Sequence, residues 1–447
     1  MPKAGIRGVS LSSDALVIRG GLALEYVIPL RRPFATARSV RTNARNFLVK
    51  LQAEHGGRLL SGLGEATPRG RLITGDFEEK SWNFLVGALQ KVTDQSLSIE
   101  SPCSARTEIR RHMESLHDYA SDCAAGIHPR PFRGTLCGIE MAMLDLVSKA
   151  FGLPLASFLG RRRSQPVISA STFSTMNEPA DIERKLRSRR RHYPVYRFKG
   201  TGELGRDLEV LKIAAAVLRQ EGVEKTLWLD ANGAYSTSGA AELVAALTTL
   251  MRTRVLPPEM IFEEPVFCSL ECLPGLQRQA DKLLKGTGST LLIMADESVW
   301  DEDDISKLMA DGGCRAINLK IQKAGGVLPC LRGAEAAVAA NPDIRIYVGN
   351  MVGTSALTTR TLSSLAMASP RLDYFTAITN PLSGLTVREA LGDEGSGALA
   401  RSPSHGGAQA EAGLGAELDL GGLSRYLTRH HPFGTGADAL RHGERRL

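Results

Sequence analysis

Three acidic residues recur at one spacing. Asp230 in LWLDANG, Glu263 in IFEEP and Asp296 in IMADES each close a short apolar run, and each lies 33 residues from the next. One strand–helix unit of a parallel α/β barrel takes roughly 30 residues. The spacing therefore puts three carboxylates at one height on consecutive strands, converging on a point. Converging anions repel unless a cation neutralises them. An all-oxygen donor set suits a hard divalent ion, Mg²⁺ first and Mn²⁺ as the alternative. One acid after a strand would serve equally as a helix cap; three in one register favour a metal site.

Two lysines fall in the same register. Lys199 closes VYRFK, 31 residues before Asp230, and Lys320 closes AINLK, 24 residues after Asp296. Their strands flank the three acid-bearing strands and face each other across a barrel mouth. A lysine beside other cations and partly removed from water has its pKa lowered, which fits it to act as a base. Taken singly, each lysine would be as readily an ion-pair partner of an acid.

The elements that must hold these residues follow from the patterning. From about residue 14 to 65, apolar runs split by glycine-rich turns predict antiparallel strands, with a hairpin at His55–Gly57. From about 76 to 160, FEEKSWNFLVGALQKV and GTLCGIEMAMLDLVSKAFG carry apolar residues three and four apart, the helical period. Beyond about 166, eight short strands alternate with helices: PVISAST, VYRFKG, TLWLDANG, EMIFEEP, LLIMADES, AINLKIQ, IRIYVGN and LDYFTAI. A doubly wound sheet also alternates in this way, but the count of eight and the length favour a barrel. Leu391–Gly413, rich in Gly, Ser and Ala, reads as an irregular excursion. The following LGGLSRYLTRHH reads as helical.

Bulk properties narrow the function classes. The chain has 447 residues, 43% hydrophobic and 23% charged, which is ordinary globular composition. It has no apolar run of about 18 residues, so no membrane partner is expected. The N-terminal stretch alternates polar and apolar residues, unlike a signal peptide, and the expected location is cytoplasmic. Seven scattered cysteines with no C-x-x-C pair argue against a disulfide framework or a zinc site. Net charge is +7, with basic runs at Arg161–Arg163 and Arg187–His192. Aromatic interleaving is lacking, so these read as solvated faces and no nucleic-acid partner is expected. The positive excess suits a small anionic substrate.

These strings together resemble the enolase superfamily, in its muconate-lactonizing and dipeptide-epimerase branch. The resemblance rests on PFATARS, GLGEATPRGRLITGD, GIEMAMLDLVSKAFGLPLASFLG, RFKG, LDANGAYS, FEEP, ADES, INLKIQKAGGV, VGNMVGTSALT and GLGAELD, spread from about residue 18 to 428. It implies an α/β fold: a (β/α)7β TIM-like barrel with an N-terminal α+β capping domain. The expected division is a cap over 1–160, completed by 391–447, and a barrel over 161–390. The resemblance implies Asp230, Glu263 and Asp296 as metal ligands and Lys199 and Lys320 as the catalytic pair. Arg197 stands where the family has the first lysine of a K-x-K strand, which keeps a positive charge near the substrate carboxylate. Asn232, Glu264, Glu297 and Lys323 would support these groups.

The implied reaction is Mg²⁺-dependent racemisation or epimerisation. One lysine takes the proton α to a carboxylate, giving an enediolate, and the other returns a proton to the opposite face. The substrate is expected to be an amino-acid derivative or dipeptide-like acid, and the assembly a homo-oligomer. In dipeptide epimerases the last strand carries a D-x-D motif for the substrate ammonium; here those positions fall on Ala377 and Thr379. That argues against a free ammonium and leaves Thr379 as a neutral contact. Arg38, in the loop 33–40, is placed to meet a distal anion. A muconate-type cycloisomerase, a dehydratase of a carboxylate and a non-catalytic binding protein on the same fold are the alternatives.

Overall fold

A computed structural model describes residues 15–434 apart from 163–169, 175–176, 190–192, 221, 223–224, 376–411 and 419. The chain opens with a long antiparallel meander: β1 (Ala15–Ala35), β2 (Val40–His55) and β3 (Arg58–Ala66). The β2–β3 turn falls on Gly56 (φ 56°) and Gly57 (φ 72°), a left-handed pair that only glycine adopts without strain. The helical stretch then divides into α1 (Arg71–Thr74), α2 (Glu78–Val92), a short β4 (Ser96–Ser98), α3 (Pro102–Ala124), α4 (Arg133–Ala150) and α5 (Leu155–Phe158).

Helix α4 is buried from Gly134 to Ser148 on all sides, which explains its lack of a polar face. It lies directly on β3. A Cβ at Gly64 would sit 1.9 Å from the Gly138 carbonyl, and one at Gly138 would sit 2.5 Å from the Ala66 nitrogen. The two glycines therefore set how closely helix and sheet approach.

Eight parallel strands follow in sequence order: β5 (Ala170–Phe173), β6 (Val195–Lys199), β7 (Thr226–Asp230), β8 (Glu259–Glu263), β9 (Thr290–Ala295), β10 (Ala316–Leu319), β11 (Arg345–Val348) and β12 (Tyr374–Phe375). Between them run α6 (Pro179–Arg189), α7 (Leu204–Gln220), α8 (Thr237–Arg252), α9 (Cys272–Leu284), α10 (Glu302–Ala310), α11 (Ile321–Ala324) with α12 (Val327–Ala340), and α13 (Ala356–Ala368). The sheet curls. Trp228 on β7 and Tyr347 on β11 stand four strands apart, about 19 Å in a flat sheet. Their ring centroids are 4.5 Å apart. Inward residues of seven strands, among them Ala170, Val195, Ile261 and Ala316, form one interior cluster with this pair. The fold is the expected (β/α)7β TIM-like barrel with an N-terminal α+β cap.

One element departs from the sequence reading. Of LGGLSRYLTRHH, only α14 (Leu420–Ser424) is helical. The next residues form β13 (Leu427–Gly434), which pairs antiparallel with β1 from Gly20↔Gly434 to Tyr26↔Leu427. Pairing with an otherwise open sheet edge overrides local helical preference. The segment 391–411 and Thr379 lie outside the described residues. All seven cysteines are free. Among the described residues, no helix is long and apolar enough to cross a membrane.

One carboxylate gathers several of the contacts between cap and barrel. Glu65 on β3 is fully buried and accepts hydrogen bonds from the Ser355 amide (3.0 Å) and hydroxyl (2.8 Å) and from Thr358 at the start of α13. Tyr26 (2.5 Å) and Asn46 (3.0 Å) donate to it from the cap side.

Candidate active site

Strand ends place the chemistry-bearing residues. Lys199, Asp230 and Glu263 are the last residues of β6, β7 and β8, and they stand opposite one another in the ladder: Lys199↔Asp230, then Asp230↔Glu263. Asp296 directly follows β9, two residues beyond Met294, the partner of Glu263. Two residues along a strand restore the same face. Lys320 directly follows β10. None of the three acids serves as a helix cap. Helix α8 is capped by the Ser236 hydroxyl and α10 by Asp301, while α9 has no side-chain cap.

The acids are fully buried and each is held by cations. Asp230 receives Lys199 Nζ at 2.5 Å and also Arg197 Nη2. The same Arg197 nitrogen lies 2.6 Å from Glu263 Oε2. Glu263 is further held by Trp228 Nε1 (2.9 Å) and Asn318 Nδ2 (2.6 Å). Asp296 receives Lys320 Nζ at 2.5 Å and Lys323 Nζ at 2.7 Å. Among the described residues, no three His, Cys, Asp or Glu side chains close into a ready-made metal cage. A guanidinium nitrogen stands between Asp230 and Glu263.

The neighbouring groups link the two sides of the site. Lys199 Nζ donates to Asn232 Oδ1 (3.0 Å), and Asn232 Nδ2 donates to Glu297 Oε1 (3.2 Å). Glu297 Oε2 is buried without a hydrogen-bond partner among the described residues. Glu264 accepts from the Ser298 hydroxyl (2.5 Å) and from the Asp296 (2.8 Å) and Cys268 (3.0 Å) amides. Asn232 (φ 47°) and Glu264 (φ 38°) both hold left-handed backbone, an uncommon state for such residues that collects at working sites.

The charges do not balance. Asp230, Glu263, Glu264, Asp296 and Glu297 are five buried acids; Arg197, Lys199, Lys320 and Lys323 are four cations beside them. Burial works against ionised Asp230, yet Arg197 and Lys199 outweigh it and hold its carboxyl at about 2. Asp296 is held lower still: burial again opposes, and Lys320 and Lys323 prevail. Glu263 is pushed well up, first by burial and then by the neighbouring acids. Burial, then Glu297, raises Glu264 to about 8. The lysine expectation needs correcting for Lys320. Burial does pull its pKa down, but Asp296, Glu297 and Glu263 raise it by more, so its net displacement is upward.

A cavity of about 480 Å³ opens over this centre. Arg197, Lys199, Asn232, Glu297 and Lys320 line it from the barrel. The three acids lie buried behind them. From the cap, Phe34, Thr36 and Arg38 line it, and Arg38 stacks its guanidinium 3.7 Å from the centroid of the Phe267 ring. Three groups had no role in the sequence reading. Trp228 and Asn318 each sit two residues before Asp230 and Lys320, so strand alternation alone would have turned them inward. Glu65 lies in GLGEATPRG, but nothing in its spacing points to a partner 290 residues away.

Residues 181–421 match the family model for the enolase C-terminal domain-like proteins, more than half of the chain. The chain belongs to this family. Within the superfamily it sits with the muconate-lactonizing and dipeptide-epimerase proteins. It is 28% identical over 365 residues to a hydrophobic dipeptide epimerase of Citrifermentans bemidjiense, covering 80% of this chain and 87% of that one. It is 30% identical over 219 residues to muconate cycloisomerase 1 of Pseudomonas putida, covering 48% and 52%. Its fold matches the crystal structure of a dipeptide epimerase from Cytophaga hutchinsonii, complexed with Mg and the dipeptide D-Ala-L-Val. The TM-score is 0.69 at 20% identity, over 93% of this chain and 99% of that one.

Proposed function

We propose that this enolase-superfamily isomerase racemises or epimerises the carbon next to the carboxylate of an amino-acid derivative or dipeptide-like acid. The observation that carries the reading is the pair Lys199 and Lys320. Lys199 ends β6 and Lys320 directly follows β10, on either side of the acid-bearing strands, and both line one cavity. Two lysines flanking one substrate carbon, one as the neutral amine and the other as the ammonium, supply a proton acceptor and a proton donor on opposite faces. Lys199 is oriented by Asp230 and Asn232, and Lys320 by Asp296. Arg197, at the cavity wall, meets the substrate carboxylate.

The donor set fits a divalent cation. Asp230, Glu263 and Asp296 are hard oxygen donors, and the buried cluster has one more acid than base. These three carboxylates would hold Mg²⁺, which would bind the substrate carboxylate, stabilise the charge that develops on it and draw off the negative field that raises Lys320. Asn232, Glu264, Glu297 and Lys323 keep the carboxylates and lysines in place.

The test is α-proton exchange in D₂O with Mg²⁺ and a panel of N-acyl amino acids and dipeptides, followed by NMR and chiral chromatography. Exchange with inversion is expected. Ring closure of a muconate-type acid without exchange would instead support a cycloisomerase, the reading favoured by the likeness to muconate cycloisomerase 1.

A further inference from the structure

Two arginines of the cap reach across to the barrel behind Lys320. Arg130 lies in the turn between α3 and α4, and Arg133 is the first residue of α4. Arg130 grips buried Asp304 with two parallel contacts, Nη2 to Oδ1 at 2.7 Å and Nη1 to Oδ2, and its Nε lies 3.5 Å from Asp301 Oδ2. A guanidinium fork on a carboxylate fixes direction as well as charge. Arg133 Nη2 lies 3.7 Å from the same Asp301 oxygen, and its Nη1 donates to the Ala324 carbonyl at 2.8 Å.

Both contacts lead to the site. Asp304 Oδ2 accepts from the Trp300 amide (2.8 Å), and Trp300 Nε1 donates to the Glu297 carbonyl (3.0 Å). Glu297 directly follows Asp296, the carboxylate that holds Lys320. The Arg130 guanidinium carbon and the His128 ring also lie 5.7 and 5.8 Å from the centre of the Trp300 indole. On the other branch, Ala324 ends α11, the four-residue helix that starts directly after Lys320. A Cβ on the next residue, Gly325, would stand 2.7 Å from Arg133 Cδ, so glycine there lets the arginine lie close. One arginine thus ends on the loop after β9 and the other on the helix after β10, the two elements that carry Asp296 and Lys320. Lys199 is held by Asp230 and Asn232 instead. Among the described contacts, the clamp reaches it through the Glu297 side chain, which accepts from Asn232 at 3.2 Å.

We infer that Arg130 and Arg133 are positioning residues for one face of the reaction, the face served by Lys320. They touch neither the cavity nor the reacting groups. They hold the backbone on which Asp296 and Lys320 stand, so the cap sets the reach of one lysine and leaves the other to the barrel. This rests on the proposed function for the roles of the two lysines.

The test is α-proton exchange in D₂O with Mg²⁺, on separately supplied D and L forms of the most active N-acyl amino acid or dipeptide of the panel. The enantiomer whose exchange Lys320→Ala abolishes marks the Lys320 face. A reacting group misplaced by about 1 Å can cost about 100-fold. Arg130→Met and Arg133→Met should therefore slow exchange at the Lys320 face by about 10-fold or more, and at the Lys199 face by about 3-fold at most. Arg130→Lys keeps the charge without the fork and should show the same bias at a smaller size, which also serves if Arg130→Met does not fold. Arg162→Gln, which opens an exposed ion pair with Glu335, should alter neither face. Equal loss at both faces would mean that the arginines only stabilise the fold, and it overturns the inference, as does no loss at either. A parent protein without any α-exchange removes the proposed function instead. Calorimetric titration with Mg²⁺ then decides the clamp through Asp296. Affinity weakened about 3-fold or more in Arg130→Met but not in Arg162→Gln supports it, in line with the cost of disturbing groups behind a metal ligand, and unchanged affinity overturns it.

Discussion

One nitrogen of Arg197 bridges two buried acids. Its Nη2 lies 2.6 Å from Glu263 Oε2 and also bonds Asp230 Oδ2. The guanidinium carbon lies 4.8 Å from the Trp228 ring and 5.6 Å from that of Tyr347, within cation–π reach of both. The guanidinium thus neutralises carboxylates that strand register forces together. Breaking a buried ion pair by removing one partner typically costs about 3–5 kcal/mol. Arg197→Gln should lose stability of that order in EDTA and recover most of it in Mg²⁺, read from denaturant midpoints. Equal losses in both buffers would count against Asp230 and Glu263 as metal ligands.

The two lysines should fail differently. If each serves one face of the α-carbon, Lys199→Ala and Lys320→Ala both lose racemisation by about 10²–10⁴-fold. Each should still exchange the α-proton of one enantiomer, and the two variants should retain opposite enantiomers. Deuterium incorporation into separately supplied D and L substrate decides this. A Lys320→Ala protein with unchanged turnover would remove Lys320 from the mechanism.

Glu65 should matter far from the chemistry. Its carboxylate holds Tyr26 and Asn46 of the cap against Ser355 and Thr358 of the barrel. Glu65→Ala leaves buried donors on both sides unsatisfied, at about 1–3 kcal/mol for each group that finds no water. The expected loss is about 3 kcal/mol or more in urea denaturation, with Glu65→Gln milder because an amide oxygen still accepts. An Ala variant as stable as the parent would show that other contacts hold the cap.

Close approach fixes α4 on β3. Gly64→Ala would drive a Cβ into the Gly138 carbonyl, and Gly138→Ala would drive one into Ala66. Each should destabilise by more than about 1–3 kcal/mol, the usual range for overpacking, since backbone rather than side chain must move. Thermal denaturation of the two variants measures it.

Glu140 gives stability a pH dependence of known sign. It is fully buried on α4 and caps the start of α12, accepting from the Val327 and Leu328 amides. Burial holds its carboxyl at about 7 despite those hydrogen bonds. Between about pH 4.5 and 7 the folded chain keeps a proton that the unfolded chain has released. The contribution of Glu140 is therefore most favourable below that window and is lost as pH rises through it, by up to about 3 kcal/mol. His117 works oppositely. Burial, then Arg133 and Arg332, hold it at about 3, so its contribution is lost as pH falls below about 6.5. Subtracting the stability of Glu140→Gln from that of the parent at each pH cancels the His117 effect. The difference should fall between pH 5 and 7.5; a flat difference would mean that Glu140 is ionised throughout.

What the sequence determined by itself was periodicity. Thirty-three-residue steps put Asp230, Glu263 and Asp296 on consecutive strands, because a strand–helix unit has a fixed length and each strand must end at the same rim. The Gly56–Gly57 turn and the helical faces of α2 and α4 were legible for the same reason: they are set within a few residues of chain. What only the tertiary structure decided depends on groups distant in sequence. The helical reading ran on through Leu427–His431 until pairing with β1 made it a strand. Lys320 was expected to be lowered in pKa by its cationic neighbours, but three acids, Glu263 at the end of β8 and Asp296 and Glu297 just after β9, raise it. Glu65 had no visible purpose until Ser355 closed on it. Arg41, Arg69 and Arg71 were unremarked basic residues until the fold brought them to the wall of the cavity that holds the lysines. Local spacing is written along the chain, whereas the balance of charge in a buried site is the sum over whatever the fold brings together.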